Sequence, residues 1–302
     1  MSTTPDAIPA LPGPAAYLDV SQYDCSATTA VTPPTRPHSL DCFADFACTS
    51  PLVVGHRHAN PFAPENSLSG ARAAILLGVD IIETDVRLSS DGHVVLIHDG
   101  DVNRTTNGTG DVSSFTLAEL QQLTVEPEAD DPPGDFSCDR IPTIDELFAV
   151  TRGKIVVELE VKNTQAGVKA AEYLRDNNLY GEAFLLCSPS ECAAARAVVA
   201  DVPIMTRPQE AGEVTAELAY TPPPIIVHID AVPTFWTDDI VSQIHAANAK
   251  VFANAFILGD GAALGLGDLS QYDQLFDGGI DVIQSEFPHY ALQSLGRVSP
   301  NN

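Results

Sequence analysis

Two hydrophobic periods alternate along this chain, and the switching between them predicts its fold. Leu52-Val53-Val54-Gly55-His56-Arg57 reads as a short buried strand ending in a polar pair. Pro64-Glu65-Asn66-Ser67 opens a helix with apolar positions at Leu68, Ala71, Ala74, Ile75 and Leu77, closed by Gly78. Val79 to Leu88, rich in β-branched and aliphatic residues, is a second strand stopped by the turn signal Ser89-Ser90-Asp91-Gly92. His93 to Ile97 then delivers His98-Asp99; a hairpin about Asp91-Gly92 would bring His98 level with Glu83. From Pro142 the pattern settles into helix 143–151, strand 154–162, helix 164–178, strand 182–187, helix 189–200 and a short strand near 202–206. Helix 210–219, strand 225–230, helix 237–248, strand 250–257, a helix near 268–278 and strand 281–285 follow.

Strands alternating with helices predict a parallel sheet, and eight repeats in about 250 residues predict a closed (β/α)₈ barrel. The pattern offers nine strands, one too many. The surplus is either the run near 202–206 or the 93–97 segment, which reads as a hairpin arm. A doubly wound open sheet is the alternative, but no Gly-x-Gly-x-x-Gly follows the first strand. Residues 1–50, rich in Pro, Ala, Ser and Thr, read as a coil-like arm over the body, and residues 51–302 as the barrel domain. About 100–140 reads as a short, turn-rich insertion after the third strand, containing a helix start at Thr116-Leu117-Ala118-Glu119-Leu120.

Composition narrows the partners. With 302 residues, 44% of them hydrophobic, the chain can bury a barrel-sized core. Fifteen basic against 41 acidic residues give a net charge of −26, which argues against nucleic acid or an anionic membrane. No apolar run approaches the ~18 residues of a membrane span, so stable membrane insertion is not expected. Met1-Ser2-Thr3-Thr4-Pro5 has neither a charged start nor an apolar stretch, so no signal peptide is expected in this sequence, though one replaced by Met1 would read the same. Cys25, Cys42, Cys48, Cys138, Cys187 and Cys192 contain no Cys-x-x-Cys pair. Their even count, with three in the arm, favours disulfides and an extracellular or periplasmic location. Of the fifteen pairings, Cys187 with Cys192 is the local choice.

Charge inside the predicted strands marks the chemistry. Glu83 and Asp85 share one face of their strand, as do Glu158, Glu160 and Lys162 of theirs. Charges facing into a barrel need partners or a task. The carboxyl ends of the strands, where barrels place their sites, collect His56, Arg57, Glu83, Asp85, His98 and this second acidic run. Oxygen ligation by Glu83, Asp85 and Glu160 suits Ca²⁺ or Mg²⁺, with Mn²⁺ a further candidate, rather than zinc or copper. Arg57 and Lys162 suit a phosphate, and His56 and His98 can divide general base and general acid between them. Together they describe metal-assisted phosphodiester cleavage. No Gly-x-Ser-x-Gly elbow supports acyl transfer. His58, His93, His228, His245 and His289 read as structural.

The order Gly55-His56-Arg57, Pro64-Glu65-Asn66-Ser67-Leu68, Glu83-Thr84-Asp85-Val86, Asp91-Gly92, His98-Asp99 and Arg104-Thr105-Thr106-Asn107-Gly108 resembles the glycerophosphodiester phosphodiesterase family. Ile141 to Leu147, Glu160-Val161-Lys162 and Ile283 to Pro288 continue the likeness, over residues 52 to 290. The resemblance implies a distorted (β/α)₈ barrel that hydrolyses glycerophosphodiesters to glycerol 3-phosphate and an alcohol. It implies metal carboxylates at Glu83, Asp85 and Glu160, acid/base histidines at His56 and His98, phosphate contacts at Arg57 and Lys162, and passage through a cyclic phosphate. The chain departs from the family at several places. His58 stands where Gly is usual and would narrow the mouth or add a polar contact. Glu158 stands for Asn, Ser67 for Thr, and Ser285-Glu286 for Thr-Asp. Asn254 matches an Asn-bearing variant and is a candidate substrate contact, and the short insertion leaves the mouth more open. Two other readings compete with this one: a phospholipase D of the sphingomyelinase D kind, and a non-catalytic barrel that binds without turnover. The Arg104-to-Gly108 run and the acidic, lysine-poor surface argue against the first, and the complete set of site residues against the second. The head group, the choice between Ca²⁺ and Mg²⁺, and the oligomeric state have no readable signal.

Overall fold

A computed structural model describes residues 10–34, 39–128 and 131–301. In chain order its elements are α1 (Ser39–Ala44), β1 (Leu52–Gly55), α2 (Leu68–Leu77), β2 (Ile81–Leu88), β3 (Val94–Leu96), α3 (Leu117–Leu120) and α4 (Ile144–Thr151). Then come β4 (Val156–Val161), α5 (Thr164–Asp176), β5 (Ala183–Leu186), α6 (Pro189–Val198), β6 (Ile204–Thr206), α7 (Val214–Leu218) and β7 (Ile226–His228). The last are α8 (Asp238–Ala246), β8 (Lys250–Asn254), α9 (Gly261–Leu266), α10 (Ser270–Asp277), β9 (Val282–Ser285) and α11 (Pro288–Ser294).

The strands run β1-β2-β4-β5-β6-β7-β8-β9, every neighbouring pair parallel, and β9 returns to β1. This is a closed eight-stranded barrel. The ninth strand, β3, pairs only with β2 and antiparallel to it, so the 93–97 segment is the hairpin arm and the short 202–206 run belongs to the barrel. The hairpin pairs Leu88 with Val94 and Val86 with Leu96, and Ile97 N–H donates to the Asp85 carbonyl. Its pairing is centred on Asp91, and this register continued sets His98 opposite Thr84, one residue from the expected level of Glu83.

Alternation sorts the strand residues into two layers. Val53, Ile82, Val157, Leu159 and Leu185 face out and pack against the helices. Leu52, Val54, Ile81, Val156, Phe184, Met205, Ile226, Phe252 and Val282 fill the barrel's lower interior. Burying an aliphatic or aromatic side chain contributes about 1.5–3 kcal/mol, so this layer gives the strand ends above it a rigid floor. Its amino end is closed by the chain's own arm: Phe43 stacks on Phe184 at 5.3 Å, and the Lys250 ammonium donates to the Cys48 carbonyl at 2.9 Å. A disulfide between Cys42 and Cys48 closes this segment, one between Cys25 and Cys138 ties the arm to the insertion, and Cys187 pairs with Cys192. The insertion has a small core of its own, with Val95, Ile97, Val102, Leu120 and Ile141.

Helix starts follow local chemistry. Ser67 caps α2 by accepting from Gly70 N–H, and Thr143 with Glu146 forms a reciprocal capping box on α4. The strand expected over 250–257 stops at Asn254, and a π-helical turn at Phe256–Asp260 leads into α9. Among the described residues no helix is long and apolar enough to cross a membrane.

Candidate active site

The site starts where β1 ends. A Cβ at Gly55 would lie 1.8 Å from the His58 carbonyl oxygen, so only glycine allows the chain to fold back here. Arg57 and His58 follow in the left-handed region, at φ 50° and 85°. This turn aims the Arg57 N–H at Glu83 Oε2, 2.7 Å away, and leaves His56 Nε2 3.9 Å from the same oxygen. His58, expected to narrow the mouth or add a polar contact, turns inward and makes its polar contact there. Its ring is fully buried, with Nδ1 2.7 Å from the Ser67 carbonyl, and burial lowers its pKa to about 4. A φ of 85° explains why glycine suits this position, and the bond to Ser67 shows how histidine occupies it.

The parallel register of β2 and β4 places Glu83 beside Glu158 and Asp85 beside Glu160. One oxygen from each of Glu83, Asp85 and Glu160 lies within 4.8 Å of the others, so the three predicted carboxylates do converge. Burial first, then the charges of Asp85 and Glu160, push the Glu83 carboxyl well above its ordinary range. Burial also acts to raise Asp85, but Lys162 and a hydrogen bond from Asn66 outweigh it and hold that carboxyl low. Asn66, itself at φ 54°, clamps Asp85 twice: Nδ2 donates to Oδ2 at 2.7 Å, and its Oδ1 accepts from the Asp85 N–H at 3.1 Å. Lys162 Nζ bridges Asp85 Oδ1 at 2.8 Å and Glu160 Oε1 at 2.7 Å.

Each histidine at the mouth is held by a carboxylate at Nδ1, which leaves Nε2 for chemistry. Glu286 Oε1 lies 2.8 Å from His56 Nδ1, and Asp99 Oδ1 lies 2.7 Å from His98 Nδ1. Asp99 is fixed by Arg104, whose two terminal nitrogens also grip Glu65 at 2.8 Å each; Glu65 in turn accepts from Arg57 Nη1 at 2.7 Å. A hydrogen bond from Arg104 holds the Asp99 carboxyl low, so it remains an anion beside the imidazole. The predicted phosphate contacts, Arg57 and Lys162, thus stand at the mouth already paired with carboxylates. Arg57 Nε, however, is buried without a hydrogen-bond partner.

Two predicted residues are not among the three converging carboxylates or the paired groups of the mouth. Glu158 is fully buried, neither of its oxygens has a hydrogen-bond partner, and burial followed by the Glu160 charge raises its carboxyl far up. Asn254 is half-buried at the end of β8, with Oδ1 unpartnered. Of the histidines read as structural, His289 is buried in a ring cluster with Tyr17, Phe62, Phe287 and Tyr290, and His245 pairs with Asp281 at 2.8 Å. His93 lies 3.9 Å from Asp91 at the surface, and His228 is buried against Phe252. Glu65, Asn66, Asp99, Arg104 and Glu286 stand in the sequence motifs without a signal of their task. Their partners lie 1 to 230 positions away, and only the turn at Arg57-His58 and barrel closure bring the distant ones together.

The cluster also fits a hard divalent cation. Glu83 Oε1 is buried with no hydrogen-bond partner, all three donors are carboxylates, and Glu83 carries the strain of two neighbouring anions. Fold and site thus define a parallel (β/α)₈ barrel whose carboxyl-end mouth joins a carboxylate triad to two carboxylate-held histidines. The glycerophosphoryl diester phosphodiesterase family model matches residues 56–199, which carry nearly all of this machinery, and over this stretch the chain is similar to that family. It is 42% identical over 113 residues to a glycerophosphodiester phosphodiesterase of Caldanaerobacter subterraneus subsp. tengcongensis, covering 37% of this chain and 45% of that protein. The chain therefore spans less than half the length of this curated relative. Among solved structures, a glycerophosphodiester phosphodiesterase from Agrobacterium tumefaciens superposes with a TM-score of 0.68 at 25% identity, over 80% of this chain and 99% of that one. An Oleispira antarctica phosphodiesterase in complex with the product sn-glycerol-3-phosphate matches with a TM-score of 0.65 at 26% identity, over 82% and 97% of the two chains.

Proposed function

We propose that this protein is a phosphoric diester hydrolase that converts glycerophosphodiesters to glycerol 3-phosphate and an alcohol. The observation that carries the reading is the meeting of the Glu83, Asp85 and Glu160 carboxylates with two histidines, each held at Nδ1 by an acid. The glycerophosphodiester phosphodiesterases that the chain is similar to, and the product held by the Oleispira protein, support it. The triad would hold one divalent cation, Ca²⁺ or Mg²⁺, with Mn²⁺ as a substitute. Once bound, the cation supplies Lewis-acid polarisation of a phosphoryl oxygen.

The chain's own residues do the rest. Arg57 and Lys162 offer their remaining N–H donors to the phosphate. One of His56 and His98 takes the proton of the glycerol 2-hydroxyl as that oxygen attacks phosphorus in line. The other gives a proton to the departing alcohol oxygen as its bond to phosphorus breaks. Water then opens the cyclic phosphate, with the proton roles reversed. Three disulfides suit an oxidising compartment, and we assign the protein to an extracellular or periplasmic setting.

His56→Ala and His98→Ala test the histidine roles. Each variant should lose turnover by about 10²–10⁴-fold while keeping cation-induced stabilisation. Near-normal turnover in either would remove that histidine from the mechanism.

A further inference from the structure

Barrels of this kind stack their interior side chains in layers of four, drawn from alternate strands. Followed round the closed sheet, the strand pairings place Val54, Glu158, Met205 and Phe252 of β1, β4, β6 and β8 in one such layer. Val54, Met205 and Phe252 belong to the lower core, and Glu158 is fully buried. Two residues further along the same strands, the layer above holds His56, Glu160, Arg207 and Asn254. This upper layer is the mouth, with one of the two histidines and one carboxylate of the triad in it. Arg207, the residue after β6, stands across the barrel from His56.

Arg207 is turned toward the barrel. Burial raises the Glu158 carboxyl and lowers the His228 imidazole, and the Arg207 charge acts on each of these two interior groups as well. A guanidinium directed at the outer helices would reach neither. Arg207 and Glu160 also border one open cavity of about 460 Å³, so solvent space joins the arginine to the triad. The other cations of the mouth are already matched. Arg57 lies 2.7 Å from Glu65, and Lys162 lies 2.8 Å from Asp85 and 2.7 Å from Glu160. Among the described residues the Arg207 guanidinium makes no hydrogen bond, and its nearest carboxylate is Asp230 at 3.6 Å. A planar fork of N–H donors left free over an anion-binding mouth matches the oxygens of a phosphate.

We infer that Arg207 is a third phosphate-binding residue, its guanidinium donating to a non-bridging oxygen of the phosphodiester from the wall opposite His56. The inference rests on the diesterase reading above and adds the side of the mouth against which the phosphate is held.

The test is binding of glycerol 3-phosphate to the cation-loaded wild type, Arg207→Ala, Arg207→Gln and Arg207→Lys, read by calorimetry and by inhibition of glycerophosphocholine cleavage. Arg207→Ala and Arg207→Gln should bind it about ten- to a hundredfold more weakly, the worth of one charge-assisted hydrogen bond, and Arg207→Lys should recover part of the loss. The cation-induced rise in melting temperature should stay as in the wild type, which a general disturbance of the mouth would not allow. Circular dichroism checks the fold. Should Arg207→Ala fail that check, the contrast between the glutamine and lysine variants, which keep a long side chain, decides. Binding within twofold of wild type in Arg207→Ala, equal binding by the glutamine and lysine variants, or loss of the cation shift together with the phosphate affinity would each overturn the assignment and leave the diesterase reading standing. A wild type that neither binds glycerol 3-phosphate nor cleaves a glycerophosphodiester with any divalent cation would overturn both.

Discussion

A divalent cation added to the chelated protein should raise its melting temperature, and the rise should grow with pH. With about 2.1 cal/mol/K of unfolding entropy per residue, a chain of 302 residues carries roughly 0.6 kcal/mol/K at its midpoint. A cation at about 100 times its dissociation constant contributes ~2.7 kcal/mol, a shift of roughly 4 °C. The pH dependence comes from Glu83. Burial, then Asp85 and Glu160, raise its carboxyl above the ordinary value of 4.5, so the metal-free fold favours the protonated acid. That contribution is complete below pH 4.5 and is lost as pH rises toward the folded-state value. The cation needs the ionised form and offsets this loss, so the gap between loaded and chelated melts should widen from pH 5 to pH 7. Asp85, held low by Lys162, is ionised throughout this window. Melting curves at three pH values, with Ca²⁺, Mg²⁺, Mn²⁺ or chelator, measure the effect. The reasoning is refuted if Glu160→Gln keeps the full shift, or if the shift is the same at pH 5 and pH 7.

Three further outcomes follow from particular contacts. Glu286→Ala frees His56 Nδ1 and should lower kcat about ten- to a hundredfold with a displaced pH–rate profile, while the melting temperature stays within a few degrees. His289 is buried, and burial lowers its pKa to about 3, so its neutral form stabilises the fold above pH 6.5 and this contribution is lost as pH falls toward 3. Urea denaturation should therefore show His289→Phe losing about 3 kcal/mol less than wild type between pH 7 and pH 4.5; equal losses would contradict this. Replacing Cys25 and Cys138 by Ser opens a link across 113 positions and should cost about 2–5 kcal/mol, read as a lower denaturant midpoint, with turnover below that midpoint retained.

Where chemistry and period lie within one element, the chain can be read directly. The alternation of Ile81 to Leu88 put Glu83 and Asp85 on one face, and the run Val157 to Lys162 did the same for Glu160, so the triad was legible before any coordinates. The short β6 and the hairpin arm could not be told apart, because three residues carry no period. Gly259, Gly261, Gly265 and Gly267 hid α9, and Pro288 at the first turn hid α11. The inward direction of His58 depends on a positive φ, which side-chain patterns do not report. The local disulfide Cys187–Cys192 was legible at a separation of 5, whereas Cys25–Cys138 depends on where the arm crosses the insertion.

The most direct test is release of glycerol 3-phosphate from glycerophosphoethanolamine and glycerophosphocholine by the chelated protein, before and after adding back Ca²⁺, Mg²⁺ or Mn²⁺. The account predicts no release in chelator and restored release with at least one of these cations, lost again in Glu83→Gln or Asp85→Asn. Undiminished release in chelator, or none from either substrate with every cation, would contradict it.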